Sequence, residues 1–249
     1  MSEKLTLIKS RDIAERLVSF FDENRMYEFW RLIDERLLHY KVAERYLEAV
    51  EEVLRRRSIE DPDKWLMICD EIADRQTDSA YHLSSLILGG ILTQRMKECF
   101  DHSRIYLSDT TRWFSSDVYA VHVVCRGLKH DFTNAIRYLY EFANDSSVWV
   151  KRCVGIAVHH YAKSVRDMPE RIAVILDLMK RLIGEKDVRV AKGIGWGLRS
   201  IGEFYPDLLV KFAKRNFARK KVSKLLFRVA VANLSFDAKE ELLKQWSDT

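Results

Sequence analysis

The chain has 249 residues, 47% of them hydrophobic, and a formal net charge of +5. A chain of this length and composition buries a sizeable core, either as one large domain or as a repeat array. It has no run of about eighteen apolar residues, and its first residues lack the apolar core of a signal peptide. We therefore expect a cytosolic protein rather than a membrane-spanning or secreted one.

Sparse helix breakers predict an all-α fold. The sequence contains only 9 Gly and 3 Pro, and its polar and apolar residues mix at helical spacing instead of alternating as in strands. In the first hundred residues, amphipathic helices are predicted at Arg31–His39 and Tyr46–Leu54. A loop is predicted at Ile59–Asp63, and Arg55–Arg57 before it suit a helix C-terminus, where the dipole favours cations. We find no catalytic constellation in this part.

The second half of the chain repeats itself at two related intervals. Asp109-Thr-Thr-Arg-Trp113 aligns with Asp145-Ser-Ser-Val-Trp149 at an offset of 36 residues. The segment Val148–Gly155 aligns with Val188–Gly195 at an offset of 40. Each copy opens on an Asp or a Ser/Thr, the residues that cap helix N-termini. Intervals of this size are typical of HEAT-like helix pairs.

The segments between the repeats predict the partner helix of each pair. Thr133–Phe142 and Pro169–Met179 carry apolar residues at steps of three and four. Pro169 and Pro206 suit helix N-termini, where the missing amide hydrogen costs nothing. In such an array, each pair buries its apolar face only against its neighbours and leaves a concave surface.

Charge is distributed unevenly along the chain. Residues 1–100 hold 16 Lys and Arg against 20 Asp and Glu, whereas residues 101–249 hold 26 against 17. A basic surface of this kind suits a polyanion, because neutralised phosphates release condensed counterions. We therefore predict a single HEAT-like domain over 1–249, a curved α-solenoid whose concave face is basic, with acidic N-terminal helices in 1–100 and basic repeats in 101–249.

Three glycines fall within one predicted helix of the second half. Gly193, Gly195 and Gly197 together cost that helix about 2–3 kcal/mol relative to alanine. Their small size permits the close approach of another helix or of a phosphate backbone. A close contact with another helix or with a phosphate backbone must offset this loss of helix stability.

The cysteines and histidines indicate neither a metal centre nor a redox site. The four cysteines form no Cys-x-x-Cys and lie among apolar neighbours, so we expect buried free thiols. The pair His159–His160 and the isolated His122 and His130 lack partners at ligand spacing, so a structural role is expected. We find no Gly-rich phosphate loop and no His-Glu-x-x-His, and we expect no metal and no cofactor.

Three short segments in the second half combine tryptophan with charge. Trp113–Asp117, Trp149–Arg152 and Lys192–Arg199 each place an indole and a charged group within about one helical turn. Aromatic rings, guanidinium groups and a single carboxylate suit a protein that holds a nucleic-acid backbone around a developing positive charge. These three segments are therefore the main indication of function in the sequence, and they favour an action on nucleic acid.

The segment from Thr110 to Asn216 resembles the DNA alkylation repair glycosylases of the HEAT-like, AlkD-type family. The matching patterns are Trp113-x-x-x-Asp117, Trp149-x-x-Arg152 and Lys192-x-Ile-Gly-Trp196-x-Leu-Arg199, the last followed by Tyr205-Pro-Asp207. The resemblance implies excision of cationic purines, alkylated at N3 or N7, from damaged double-stranded DNA. We expect a monomer, since solenoids of this kind need no partner for stability, and we expect it to act on nucleoid-associated DNA in the cytoplasm.

The resemblance also implies roles for individual residues. Asp117 would be the catalytic carboxylate, with Trp113 beside it and Trp196 as a second aromatic wall. Arg152 and Arg199 would clamp phosphates. The expected DNA-binding residues are Lys151, Arg152, Lys192, Trp196 and Arg199.

The chemistry of the lesion agrees with a single carboxylate. An alkylated purine already bears a positive charge, so it departs neutral without a general acid. The enzyme then needs to stabilise oxocarbenium character on the sugar and to position a water, which one ionised Asp can do. Indole faces add cation–π attraction of about 0.5–2 kcal/mol each. Without a lysine at the site, simple hydrolysis is expected rather than Schiff-base chemistry.

The same residues allow plainer interpretations. Trp149, between two valines, suits a core position; Asp117 suits a helix N-cap; Arg152 and Arg199 suit an ordinary surface. At the level of function, the alternative is a HEAT-like binder of distorted or branched DNA that performs no chemistry. A third class, a protein scaffold, would have an apolar or acidic concave face.

Overall fold

The computed structural model describes residues 5–38 and 41–247. All regular secondary structure in these ranges is helical, which confirms the all-α prediction. No helix among the described residues has both the length and the hydropathy to span a bilayer. The predicted helix Arg31–His39 ends on a residue outside the described ranges, and the structure gives helical conformation from Met26 through Leu38.

The chain forms two compact units, Met1–Tyr106 and Leu107–Thr249. The boundary falls within the sixth helix. The first unit is built from α1 Leu7–Asp22, α2 Met26–Ile33 with a π-helical extension Asp34–Leu38, α3 Glu44–Glu60, α4 Pro62–Ala73, α5 Asp78–Ile91 and most of α6 Met96–Asp109.

An aromatic cluster lies in the core of the first unit. The fully buried Trp65 stacks on Phe21 at 5.2 Å between ring centroids and meets Phe29 edge-on at 6.2 Å. Such rings bury large apolar areas and fix the packing of the helices that contribute them. The unit therefore has a core of its own.

The loop predicted at Ile59–Asp63 is wrong. Helix α3 continues through Glu60 and α4 begins at Pro62, so Asp61 alone separates them. The Asp61 carboxylate accepts a hydrogen bond from the amide of Lys64 at 3.3 Å and caps α4, while Pro62 occupies the first helical position. Arg57 does lie in the last turn of α3, where it pairs with Asp22 and Glu60.

The second unit contains the remaining helices. A continuous helical run begins with α7 and passes through a π-helical segment into α8. The elements are α7 Trp113–Tyr119, the π-helical Ala120–Cys125, α8 Arg126–His130, α9 Phe132–Ala143, α10 Val148–Ser164, α11 Pro169–Met179, α12 Val188–Phe204, α13 Pro206–Asn216, α14 Lys224–Ala230 and α15 Phe236–Ser247.

The helices of the second unit pack in two rows. In the first row, α10 lies between α12 and the run of α7 with its π-helical segment, and α12 packs against α14 on its other side. In the second row, α9 packs against α11, α11 against α13, and α13 against α15. Contacts between α9 and α10 and between α12 and α13 join the rows.

Local capping explains the 40-residue interval. Ser147 caps α10 through a hydrogen bond from the Trp149 amide at 3.3 Å, and Asp187 caps α12 through one from the Arg189 amide at 2.8 Å. Both helices have 17 residues. Asp109 is not a helix start, because it is the last residue of α6.

The four cysteines are free and buried, as predicted. Burial raises the pKa of each thiol; that of Cys125 rises to about 11. Thiols in this state are inert packing groups near neutral pH.

Glycines let α10 and α12 approach each other closely. A Cβ atom on Gly155 would lie 2.3 Å from the carbonyl carbon of Gly193, and one on Gly197 would lie 2.7 Å from the carbonyl oxygen of Gly155. On the other side of α12, a Cβ on Gly195 would lie 2.9 Å from the Val229 side chain of the α14 helix. Of the two uses expected for these glycines, the structure gives helix packing.

Substitution of Gly155 with alanine should destabilise the second unit by about 1–3 kcal/mol, since the contact is to backbone atoms that cannot move aside. Urea denaturation followed by circular dichroism measures the change. Gly184→Ala is the control, because its Cβ would meet nothing closer than 3.5 Å. Equal stability of the two variants would contradict the packing described.

Candidate active site

Asp117 and Arg152 form a bidentate ion pair between α7 and α10. The Arg152 Nε and Nη2 atoms each donate to one Asp117 carboxylate oxygen at 3.0 Å. The Arg152 side chain is 8% exposed and that of Asp117 is 20% exposed. Paired donors of this geometry fix the orientation of a carboxylate as well as its charge.

Arg152 connects three consecutive helices of the first row. Besides Asp117, it reaches α12 through Nη1, which donates to the carbonyl of Arg189 at 3.2 Å. A Cβ on Gly193 would lie 2.9 Å from the Arg152 Cγ atom, so the glycine also makes room for this side chain. The Ser116 hydroxyl donates to the Trp149 carbonyl at 3.0 Å and adds a second link from α7 to α10.

Burial and charge act in opposite directions on the Asp117 carboxyl. Burial raises its pKa above the ordinary value, while the hydrogen bonds and charge of Arg152, and to a smaller extent the charge of His160, lower it. Burial has the larger effect, so the pKa of Asp117 stays raised. The carboxylate is thus only partly compensated by the protein around it.

The tryptophans of the three motifs occupy different environments. Trp113 is 60% exposed and lies one turn before Asp117 on α7, while Trp196 is 44% exposed on α12. Trp149 is buried, as the plainer interpretation of its valine neighbours predicted. The Arg189 guanidinium covers the Trp149 ring at 5.2 Å. Two indoles therefore remain open to a ligand.

His159 of α10 lies against Trp196, and His160 lies beside His159 and close enough to Asp117 for its charge to act on that carboxyl. The ring centroid of His159 lies 5.8 Å from that of Trp196 and 5.0 Å from that of His160. The His159 Nδ1 atom shares a hydrogen bond of 2.7 Å with the Ser200 hydroxyl of α12. Burial lowers the pKa of His159 to about 4, so the ring is neutral near pH 7. The sequence indicated a structural role for this pair. It did not indicate the contact of His159 with α12, because Ser200, its hydrogen-bond partner there, lies 41 residues away in the sequence.

The exposed face of α12 carries two cationic side chains and an indole ring. Lys192, Trp196 and Arg199 are exposed at steps of four and three residues, which places them on one helix face. Arg199 donates through Nε to the Asn233 side-chain oxygen at 3.1 Å, and Asn233 in turn donates to Glu203 at 2.9 Å.

Lys151, which is expected to bind DNA, forms an ion pair within the protein instead. Its ammonium pairs with Glu185 at 2.7 Å, and its side chain is largely buried. Arg152, expected to clamp a phosphate, has three nitrogens engaged by protein acceptors.

Comparison with protein families identifies the class to which the chain belongs. The sequence matches the model of the DNA alkylation repair enzyme family over residues 13–234. The chain therefore belongs to that family, as its motifs predicted. The match extends beyond the Thr110–Asn216 segment that carries those motifs and takes in most of the first unit. A search of curated proteins gave no significant match.

Removal of Arg152 should leave Asp117 as a largely buried, uncompensated charge. We expect Arg152→Met to lower the free energy of unfolding by about 3 kcal/mol at neutral pH, and Asp117→Asn to restore part of it in the double variant. Urea denaturation measures all three variants.

The matched control is Arg56→Met, which breaks an exposed ion pair with Glu60 and should cost less than about 1 kcal/mol. A loss no larger for Arg152→Met than for this control would contradict the account of the buried pair.

Proposed function

We propose that this DNA alkylation repair enzyme is a monofunctional DNA glycosylase. Its reaction would be hydrolysis of the N-glycosidic bond of cationic purines alkylated at N3 or N7. The observation on which the proposal rests most is the Asp117 carboxylate, oriented by Arg152 and one turn from the exposed Trp113.

Asp117 retains the capacity to face a substrate while it is paired. A carboxylate has about four lone-pair positions, and the two hydrogen bonds of Arg152 use one on each oxygen. The remaining positions accept a water proton or face a developing oxocarbenium ion. Because burial leaves the carboxylate partly uncompensated, a positive charge forming on the sugar is stabilised more strongly than it would be in water.

Arg152 acts in this proposal as a positioning residue for Asp117 rather than as a phosphate clamp. Its contacts with Asp117 and the Arg189 carbonyl occupy the nitrogens that a phosphate would need. Its hydrogen bonds and its charge lower the pKa of the Asp117 carboxyl, against the burial that raises it.

The exposed face of α12 is the proposed contact with the DNA backbone. Lys192 and Arg199 supply positive charge to phosphates, and Trp196 between them supplies an aromatic wall for the lesion or its sugar. Lys151 contributes less, since Glu185 already neutralises it.

We extend the proposal to the setting of the reaction. The two helix rows of the second unit support a HEAT-like array, in which the first row would form a basic concave face towards double-stranded DNA. The enzyme would work as a monomer on nucleoid DNA in the cytoplasm and would need no cofactor.

Release of free base from duplex DNA tests the proposal. Under single-turnover conditions, the protein should release N7-methylguanine or N3-methyladenine, and Asp117→Asn should slow release by about a hundredfold or more, as for loss of a main electrostatic stabiliser. Chromatography of the released base measures the rate.

Asp207→Asn serves as the control for this experiment, because it removes an exposed carboxylate from α13 of the same unit. It should leave the rate unchanged. No release by the wild type, despite salt-sensitive DNA binding, would exclude the glycosylase and leave the binder of distorted DNA. Equal rates for wild type and Asp117→Asn would remove Asp117 from the mechanism.

A further inference from the structure

A groove with an apolar floor and basic rims lies between α11 and α13. Its volume is about 550 Å³. The floor is formed by Ala173, Leu176, Leu208 and Phe212. None of its lining residues belongs to α7, α10 or α12, the helices of the candidate active site. The proposed glycosylase chemistry makes no use of this groove.

Four cations surround the floor. Lys180 stands at the end of α11, and Lys211, Arg215 and Arg219 follow one another along α13 and the turn after it. All four are exposed, and none forms an ion pair with a carboxylate of the described residues. Lys214 of the same helix, by contrast, pairs with Glu241. The groove therefore has an unbalanced positive charge.

The one acidic residue that lines the groove is hydrogen-bonded to a tyrosine of α9. Asp177 accepts a hydrogen bond from the hydroxyl of Tyr140 at 3.1 Å. Its charge offsets only one of the four cations, so the groove keeps a net positive charge.

The spacing of the cations favours a ligand whose negative charges are separated by a similar distance. Lys211 and Arg215 are one turn apart, about 6 Å along the helix axis, and Arg219 follows four residues later. Carboxylates one turn apart on a helix, or at alternate positions of an extended chain, have a similar separation. The phosphates of a single nucleotide lie next to one another and do not reach along such a row.

The apolar floor argues against a DNA backbone as the occupant. Phosphate contacts require donors and positive charge but gain nothing from buried leucine and phenylalanine. Peptide-binding grooves instead combine an apolar floor that receives side chains with a charged rim that sets the choice of partner.

We propose that the groove between α11 and α13 binds an acidic peptide segment of a partner protein, with the apolar side chains of the segment on the floor and its carboxylates on the basic rims. The inference is independent of the glycosylase reaction. It makes the second row of helices a docking surface for another protein.

Fluorescence anisotropy with a labelled synthetic peptide tests this inference. The probe is an amphipathic peptide about three helical turns long, with a leucine stripe flanked by glutamates, and its matched control has glutamine in place of every glutamate. The wild type should bind the glutamate peptide and bind the glutamine peptide about tenfold more weakly or worse. Lys211→Gln/Arg215→Gln should lose affinity for the glutamate peptide by a similar factor.

The control variant Lys224→Gln/Arg228→Gln removes an equal charge, also one turn apart, from exposed positions on α14 outside the groove. It should bind the peptide like the wild type. The inference is overturned by absence of peptide binding to the wild type or by equal affinity of both double variants. It is also overturned if undamaged duplex DNA displaces the peptide and the groove variant loses DNA affinity, because the groove would then be a DNA site. Base-release rates, measured in parallel, test the glycosylase separately.

Discussion

The ion pair of Arg152 with Asp117 is the interaction on which the second unit and its site both depend. Charged groups this deeply buried are stable only when paired and hydrogen-bonded, so α7, α10 and α12 must hold their relative positions for Arg152 to reach its acceptors. The same requirement orients the Asp117 carboxylate. A single guanidinium thus joins three helices of one row and fixes the group to which we assign the chemistry.

Close helix packing makes this reach possible. Arg152 contacts the Arg189 carbonyl because α12 lies against α10 at distances that only glycine permits at Gly155 and Gly193. The low helix propensity of the glycines is offset by the buried contacts they allow. The same packing brings His159 of α10 against Trp196 of α12, so the position of an exposed indole also depends on the contact between these helices.

Local sequence signals predicted the helices but not the contacts between them. Pro169 and Pro206 marked helix starts correctly because proline at the first helical position is a property of the chain itself. The loop predicted across Pro62 is wrong although the same rule applies there, because Asp61 alone separates α3 from α4. The Asp117 to Arg152 pair spans 35 residues, and the environment of Arg152 follows from tertiary packing that no local pattern encodes.

If Asp117 stabilises positive charge on the sugar, the affinity for a charged sugar mimic reports this most directly. Duplex DNA with a cationic pyrrolidine in place of one deoxyribose is compared with the same duplex carrying a neutral tetrahydrofuran, for the wild type and Asp117→Asn. Transition-state mimics bind more tightly than neutral analogues, so the wild type should prefer the cation by about a hundredfold or more. That preference should disappear in Asp117→Asn. Equal binding of the two duplexes by the wild type, or a preference that survives the substitution, would contradict the central claim.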